Sequence, residues 1–133
     1  MNTRHILLTT DLSDNARRAY PSASSLASNL YAKLHLVHFA GADPFAGAIH
    51  RFADMTAREP LFDALEKALT KEAREHSAFD RLDVEPRLQR HRWTRSRQRS
   101  LEQELDIDLI VMSPQGRTGL TKLLLGSFAD RVV

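Results

Sequence analysis

The sequence contains no cysteine, which excludes disulfide bonds, thiol catalysis and thiolate metal sites. It also lacks any apolar run close to the roughly 20 residues that a membrane-spanning helix requires, and no apolar leader with a cleavage site follows Met1. These absences fit a reducing compartment, and we expect a cytoplasmic location. The net charge of +2 is too small for overall electrostatics to favour a nucleic-acid partner.

Recognisable catalytic motifs are missing as well. There is no Gly-Lys-Ser/Thr phosphate loop, no serine in a nucleophile elbow and no His-Glu-x-x-His sequence. The six histidines are scattered, and His35 and His38 lie three apart on a predicted strand, so they point to opposite faces. We therefore expect no metal site made by protein ligands and no enzyme activity.

What the sequence does contain is an alternation of strands and helices within 133 residues, a length that suits one domain with one core. The apolar run Ile6–Leu8 predicts a first strand that ends at Thr9-Thr10-Asp11. Lys33–Phe39 predicts the second strand and Asp106–Met112 the fourth. Between them, Leu82–Leu88 alternates with polar residues and contains a proline, which favours an edge strand.

The predicted helices lie between these strands. Ser13 is expected to cap the first helix, and Pro21 predicts a kink or a break in its first turns. A second helix is expected from about Pro60, and a weaker one over Trp93–Leu105, while residues 40–57 form a loop or a short helical excursion. Strands that alternate with helices predict an α/β fold, an open parallel sheet with helices on both faces.

A glycine loop follows the fourth strand directly. Ser113-Pro114-Gln115-Gly116 is followed by nine residues and then Gly126-Ser127, a pattern typical of a phosphate-binding loop. Ligands of such sheets bind beyond the carboxyl ends of the strands. If the first and fourth strands are neighbours, Asp11 faces this loop and suits a ribose hydroxyl or a base amine. The alternative is an ordinary glycine turn and a helix-capping aspartate.

These residues resemble the universal stress protein family. The resemblance rests on Ile6–Ser13, Val37-His38-Phe39, Asp108–Met112 and the loop from Gly116 to Ser127. It implies a single Rossmann-like domain with strand order 3-2-1-4-5, a cytoplasmic location, a dimer and, in one subgroup, bound ATP. That subgroup has Gly, two residues, Gly, nine residues, then Gly and Ser or Thr. Gly116, Gly126 and Ser127 match this pattern, whereas Ser113 stands in place of the first glycine.

The resemblance also implies which residues bind the nucleotide. They lie at the ends of three predicted strands and in the loop: Thr9, Thr10, Asp11, Phe39, Met112, Ser113, Gly116, Arg117, Gly126 and Ser127. ATP is the expected ligand, and its phosphates would bring Mg²⁺. Because no residue is recognisable as a base for water, at most slow ATP hydrolysis is expected. The alternative is a nucleotide-free interaction module in which Ser113 blocks the loop and the protein acts through protein partners.

The sequence departs from the family pattern at its carboxyl end. It stops at Val132-Val133, inside the expected last helix. We therefore expect strand order 3-2-1-4 with the usual fifth strand missing, in a single domain over residues 1–133 that is truncated before that strand. The family uses this strand for dimer contact, so a homodimer is expected while its mode stays open.

The family resemblance does not explain a basic run. Six arginines and His91 occur between positions 87 and 99 without an acidic residue: Arg87, Arg90, Arg92, Arg95, Arg97 and Arg99. Such a run could contact phosphates of a nucleic acid or of a phosphorylated partner. The favoured interpretation is a solvated helix face, partly neutralised by Glu102 and Glu104 at helical spacing. Nucleic acid is therefore not an expected partner.

Overall fold

A five-stranded sheet organises the part of the chain that the computed structural model describes, which is residues 4–40, 58–112 and 122–125. The strands are β1 (Arg4–Thr9), β2 (Ala32–Phe39), β3 (Val84–Gln89), β4 (Leu109–Met112) and β5 (Lys122–Leu125). Their spatial order is β3-β2-β1-β4-β5. The predicted excursion over residues 40–57 falls outside the described residues from position 41 onward.

The first four strands run parallel. β1 lies between β2 and β4, with Ile6 opposite both Leu34 and Leu109, and β2 also pairs with β3. This confirms the open parallel α/β sheet with order 3-2-1-4. It also confirms the edge position of β3, which agrees with Pro86, since a proline lacks the N–H that a central strand needs.

The fifth strand was not expected from the sequence. β5 runs antiparallel to β4, with Leu109 opposite Leu125 and Met112 opposite Lys122. The glycine spacing places these residues within the loop, so it predicts no strand on the outer side of β4. Only nine residues, 113–121, separate the two strands, and a parallel return needs a crossover of roughly a dozen residues or more. An antiparallel return is the pairing that this short connection permits.

The helices begin and end where local signals place them. The described residues form α1 (Asp14–Arg17), α2 (Tyr20–Leu30), α3 (Arg58–Glu75) and α4 (Arg95–Leu105), with a short 3₁₀ turn over Ser77–Phe79. Ser13 caps α1, since its hydroxyl accepts a hydrogen bond from the Ala16 N–H at 3.1 Å. Pro21 lies in the first turn of α2, where its missing N–H costs nothing, so the predicted break between α1 and α2 is confirmed.

Two apolar clusters, one on each face of the sheet, make up the core. On one face Ile6, Leu8, Leu34 and Leu36 pack against α2 and α3. On the other face Leu7, Val37 and Ile110 pack against Leu101 of α4. Burial on both faces explains why β1 and β2 read as continuous apolar runs. Within the described ranges, no helix has the length and apolar character needed to cross a membrane.

Candidate functional site

The carboxyl ends of β1 and β4 lie side by side. Leu8 pairs with Val111 in parallel register, so Thr9 and Met112 reach the same end of the sheet. The first and fourth strands are therefore neighbours. This is the arrangement in which Asp11 and the loop after β4 are expected to share one crevice. The loop residues themselves lie outside the described residues: Ser113, Gly116, Arg117, Gly126 and Ser127.

Thr10, the first residue after β1, is buried and fixed by four hydrogen bonds. Its N–H donates to the Val37 carbonyl at 2.9 Å, and its own carbonyl accepts from His38 Nδ1 at 2.8 Å. Its hydroxyl lies 2.8 Å from the Tyr20 hydroxyl and accepts from the Leu12 N–H at 3.0 Å. Both backbone groups and the side chain are therefore engaged within the protein, so Thr10 is suited to positioning the strand end.

His38 ties β2 to the end of β1. A carbonyl oxygen only accepts, so the contact to the Thr10 carbonyl requires a hydrogen on Nδ1 of His38. The ring is buried, and its strand neighbour Val37 receives the Thr10 N–H. The histidine in Val37-His38-Phe39 thus has a structural role, which the sequence alone did not assign to it.

Asp11 projects from a tight turn at this end of the sheet. Its side chain is exposed, and Oδ1 accepts a hydrogen bond from the Ser13 N–H at 2.9 Å. The intervening Leu12 has a φ of 66°, in the left-handed region that a bulky side chain rarely occupies. The hydrogen bonds to the Leu12 and Ser13 N–H groups hold this conformation. Local strain of this kind clusters at functional sites, and here it holds the Asp11 carboxylate beyond the strand end.

Apolar side chains cover the face of the sheet that packs against α4 at this same end. Thr9 is opposite Val37 in the sheet, so both side chains point to this face. Phe39 lies two residues after Val37 on β2 and therefore points to the same face. Phe39 is buried in the cluster around Leu101, and Met112 packs against it while remaining partly exposed. The structure therefore brings the predicted residues Thr9, Asp11, Phe39 and Met112 to one end of the sheet.

A polar network behind this end was not foreseen from the sequence. Arg17 contacts Glu72 with two nitrogens, Nε to Oε1 at 2.6 Å and Nη2 to Oε2 at 3.1 Å, and so joins α1 to α3. The guanidinium lowers the pKa of Glu72 through these hydrogen bonds. Tyr20 is fully buried beside them, and burial is the main cause that raises the pKa of its hydroxyl. Tyr20 was read only as part of an apolar stripe, although a buried tyrosine hydroxyl usually has a partner.

A separate shallow groove of about 670 Å³ lies on the outer side of α2. Its lining includes Ser24, Ser28 and His76, and none of the predicted nucleotide-binding residues. In the described ranges, no three histidine, aspartate or glutamate side chains are arranged to hold a metal ion. The predicted residues that the structure describes lie instead at the sheet end next to Asp11.

The fold and the strand order define an open α/β protein, a class that binds ligands beyond the carboxyl ends of its strands. The model of the universal stress protein family matches residues 2–133, so the chain belongs to this family. No curated protein is significantly similar to it in sequence.

Solved structures share the fold at low sequence identity. A hypothetical protein with a solved crystal structure is 21% identical to this chain in sequence, with a TM-score of 0.63. The match covers 97% of this chain and 86% of that one. The universal stress protein UspA from Lactobacillus plantarum is 21% identical, with a TM-score of 0.51 and coverage of 99% and 91%. A universal stress protein from Archaeoglobus fulgidus, solved in complex with dAMP, is 17% identical, with a TM-score of 0.50 and coverage of 84% and 80%.

Proposed function

We propose that this universal stress protein is a regulatory protein that binds an adenine nucleotide, with ATP and Mg²⁺ as the preferred ligand. The binding site would be the crevice between Asp11 and the loop from Ser113 to Gly126. The observation that carries this proposal is the position of Asp11, an exposed carboxylate held beyond β1 by a strained turn, beside the strand that leads into the loop.

Each part of the ligand has a partner of suitable chemistry. One oxygen of the Asp11 carboxylate accepts the Ser13 N–H, and the other would accept a ribose hydroxyl or a base amine. Met112, which is partly exposed and packs on the cluster that contains the buried Phe39, would offer apolar surface for the base. In the sequence-based part of the proposal, amides near Gly116 and Gly126, with the Ser127 hydroxyl and Arg117, would hold the phosphates.

The family comparison supports an adenine nucleotide. The Archaeoglobus fulgidus protein with this fold was solved with dAMP bound. The two chains are 17% identical and share the fold. The proposal therefore rests on this likeness together with the Asp11 turn and the loop spacing.

The proposed role is binding rather than turnover. Nucleotide occupancy would change the surface that the loop presents to other proteins, and hydrolysis would be slow at most because no base for water is recognisable. The cytoplasmic location and the homodimer implied by the family resemblance are part of the same proposal.

Calorimetry with ATP and Mg²⁺, together with mass spectrometry of nucleotide released from gently purified protein, tests the proposal. We expect saturable binding that Asp11→Ala weakens by about 10-fold or more, because a hydrogen bond to a charged group is lost. Asp14→Ala is the matched control, since it removes an exposed carboxylate that pairs with Arg17 three residues on. Intact protein that carries no nucleotide and gives no binding heat would overturn the proposal.

The second candidate is a nucleotide-free interaction module, favoured by the side chain of Ser113 at a position where the ATP-binding subgroup has glycine. Ser113→Gly separates the two. ATP binding that appears only in Ser113→Gly would support the module, whereas binding by both forms supports the nucleotide-binding proposal.

A further inference from the structure

The structure divides the arginine run between positions 87 and 99 into two groups. The first group is engaged within the fold. Arg87 lies 3.5 Å from the carboxylate of Glu104, and Arg90 contacts Glu59 at 2.9 Å while its guanidinium lies 5.0 Å from the centre of the Phe62 ring. These two arginines attach β3 and the residue after it to α4 and α3.

The second group is exposed to solvent. Its members are exposed and form no ion pair within the described ranges: Arg92, Arg95, Arg97 and Arg99. The positions of Glu102 and Glu104 predict that they neutralise part of the run at helical spacing. Instead, Glu104 pairs with Arg87, and Glu102 is buried, where it accepts a hydrogen bond from Gln98 at 3.4 Å. Glu104 therefore neutralises part of the run through Arg87, which lies on β3 rather than at helical spacing.

These four arginines lie just before α4 and in its first two turns. Arg95 and Arg99 are one turn apart and so share a face of the helix. Thr94 caps the helix by accepting the Arg97 N–H at 3.1 Å, and the first turn contains no acidic residue. Acidic side chains are favoured at this end because the helix dipole is positive there. The start of α4 thus carries several arginines and no acidic residue in its first turn.

An aromatic ring stands within this basic surface. Trp93 is 40% exposed, and its indole N–H donates to Oε1 of Gln98 at 2.6 Å. Gln98 is itself buried and bonded to Glu102, so the ring is held by a fixed partner. With its one polar atom satisfied, Trp93 leaves a partly exposed aromatic side chain between the exposed Arg92 and Arg95 in the sequence.

We propose that Arg92, Trp93, Arg95, Arg97 and Arg99, here called the Trp93 surface, bind single-stranded nucleic acid. The arginines would contact backbone phosphates, and the Trp93 ring would stack on an unpaired base. Proteins that bind single strands without sequence preference combine these two elements. The held aromatic ring favours this ligand over a phosphorylated peptide, which offers phosphate but no base, and over a duplex, whose bases are already stacked.

Trp93 is the only tryptophan of the chain, so its fluorescence reports on this surface directly. Titration with a 12-nucleotide single-stranded RNA should quench the fluorescence. The logarithm of the association constant should fall with the logarithm of the salt concentration with a slope of about −2.8 if all four arginines contact phosphates. If the RNA does not quench the fluorescence, the proposal is wrong. It is also wrong if a duplex of equal length binds as tightly without quenching.

Variants identify the residues. Arg95→Gln with Arg99→Gln should reduce the slope to about −1.4, whereas Lys71→Gln with Arg74→Gln on α3 removes the same charge and should change it little. In anisotropy measurements with a labelled oligonucleotide, Trp93→Ala should weaken binding by about 5- to 150-fold, and Trp93→Phe should restore most of it. Equal losses in both double variants would show that only net charge matters. Stronger binding of a phosphorylated peptide of equal charge would also contradict the proposal.

Discussion

The hydroxyls of Thr10 and Tyr20 lie 2.8 Å apart in the core, and they join the end of β1 to the first turn of α2. Thr10 precedes Asp11, the proposed ligand contact, so this buried pair sets the position of the candidate site. Neither group is accessible to water, and an unpaired hydroxyl there would carry a desolvation cost.

Removal of either hydroxyl should therefore destabilise the protein unequally. Tyr20→Phe leaves Thr10 with its bond from the Leu12 N–H and should cost about 1 kcal/mol of unfolding free energy. Thr10→Val leaves both the Tyr20 hydroxyl and the Leu12 N–H without this partner and should cost about 2–3 kcal/mol. Urea unfolding of the two variants measures the difference. Equal losses of stability in the two variants would show that the hydrogen bond from the Leu12 N–H to the Thr10 hydroxyl does not add to stability.

Asp11 should have separable roles in the turn and in binding. Asp11→Asn keeps an oxygen that can accept the Ser13 N–H but loses the charge, whereas Asp11→Ala loses both. We expect both variants to weaken ATP binding, and only Asp11→Ala to lower stability, by about 1 kcal/mol. Calorimetry and thermal unfolding, run on the same samples, measure the two effects. Equal stability of the two variants would remove the structural role of the carboxylate oxygen.

Buried His35 should make the protein sensitive to acid. Its ring is only 4% exposed, its Nε2 lies 3.0 Å from Nδ1 of His5, and its own Nδ1 has no hydrogen-bond partner in the described part of the chain. Burial, followed by the charges of His5, Lys33 and Arg87, lowers the pKa of His35 to about 4. An unfolded histidine has a pKa of about 6.5 and binds the proton more readily. Stability should therefore fall as the pH drops from about 6.5 towards 4, by up to roughly 3 kcal/mol.

The variant His35→Gln should flatten this pH dependence, and His91→Gln, which changes a histidine in the turn after β3, should not. Urea midpoints measured every half pH unit between about 4 and 7 compare the two. Unfolding free energies that fall equally steeply in both variants would place the acid sensitivity elsewhere.

Tyr31 ends α2 in a left-handed conformation, with a φ of 51° and 90% of the residue exposed. Glycine adopts this conformation without the steric cost of a Cβ, which is about 1 kcal/mol. Tyr31→Gly should therefore raise the melting temperature, while Tyr31→Ala, which keeps the Cβ, should not. If the two variants have the same melting temperature, relief of backbone strain at position 31 does not stabilise the protein.

Local signals in the sequence predicted much of the fold. The cap at Ser13, the break at Pro21 and the edge strand with Pro86 depend on chemistry within a few residues, and all three are present. The parallel order 3-2-1-4 came from the family resemblance. β5 was missed because its apolar residues were read as part of a glycine loop, and a four-residue strand shows too little periodicity to correct that reading.

The site was only partly predictable for a different reason. Asp11 follows directly from the end of an apolar run, and strand pairing brings β4 beside it. The contacts that hold it join distant residues, such as the bond from His38 to Thr10 and the pair of Arg17 with Glu72. The positive φ of Leu12 was also invisible, because leucine has no preference for that conformation.

The return of β5 along β4 has a consequence for self-association. On that side, the outermost backbone among the described residues is four residues long. Along these four residues, a second copy that paired its own strand with β5 would gain only a few main-chain hydrogen bonds. A stable homodimer formed along β5 would depend on side-chain contacts. A dimer without such contacts would dissociate on dilution.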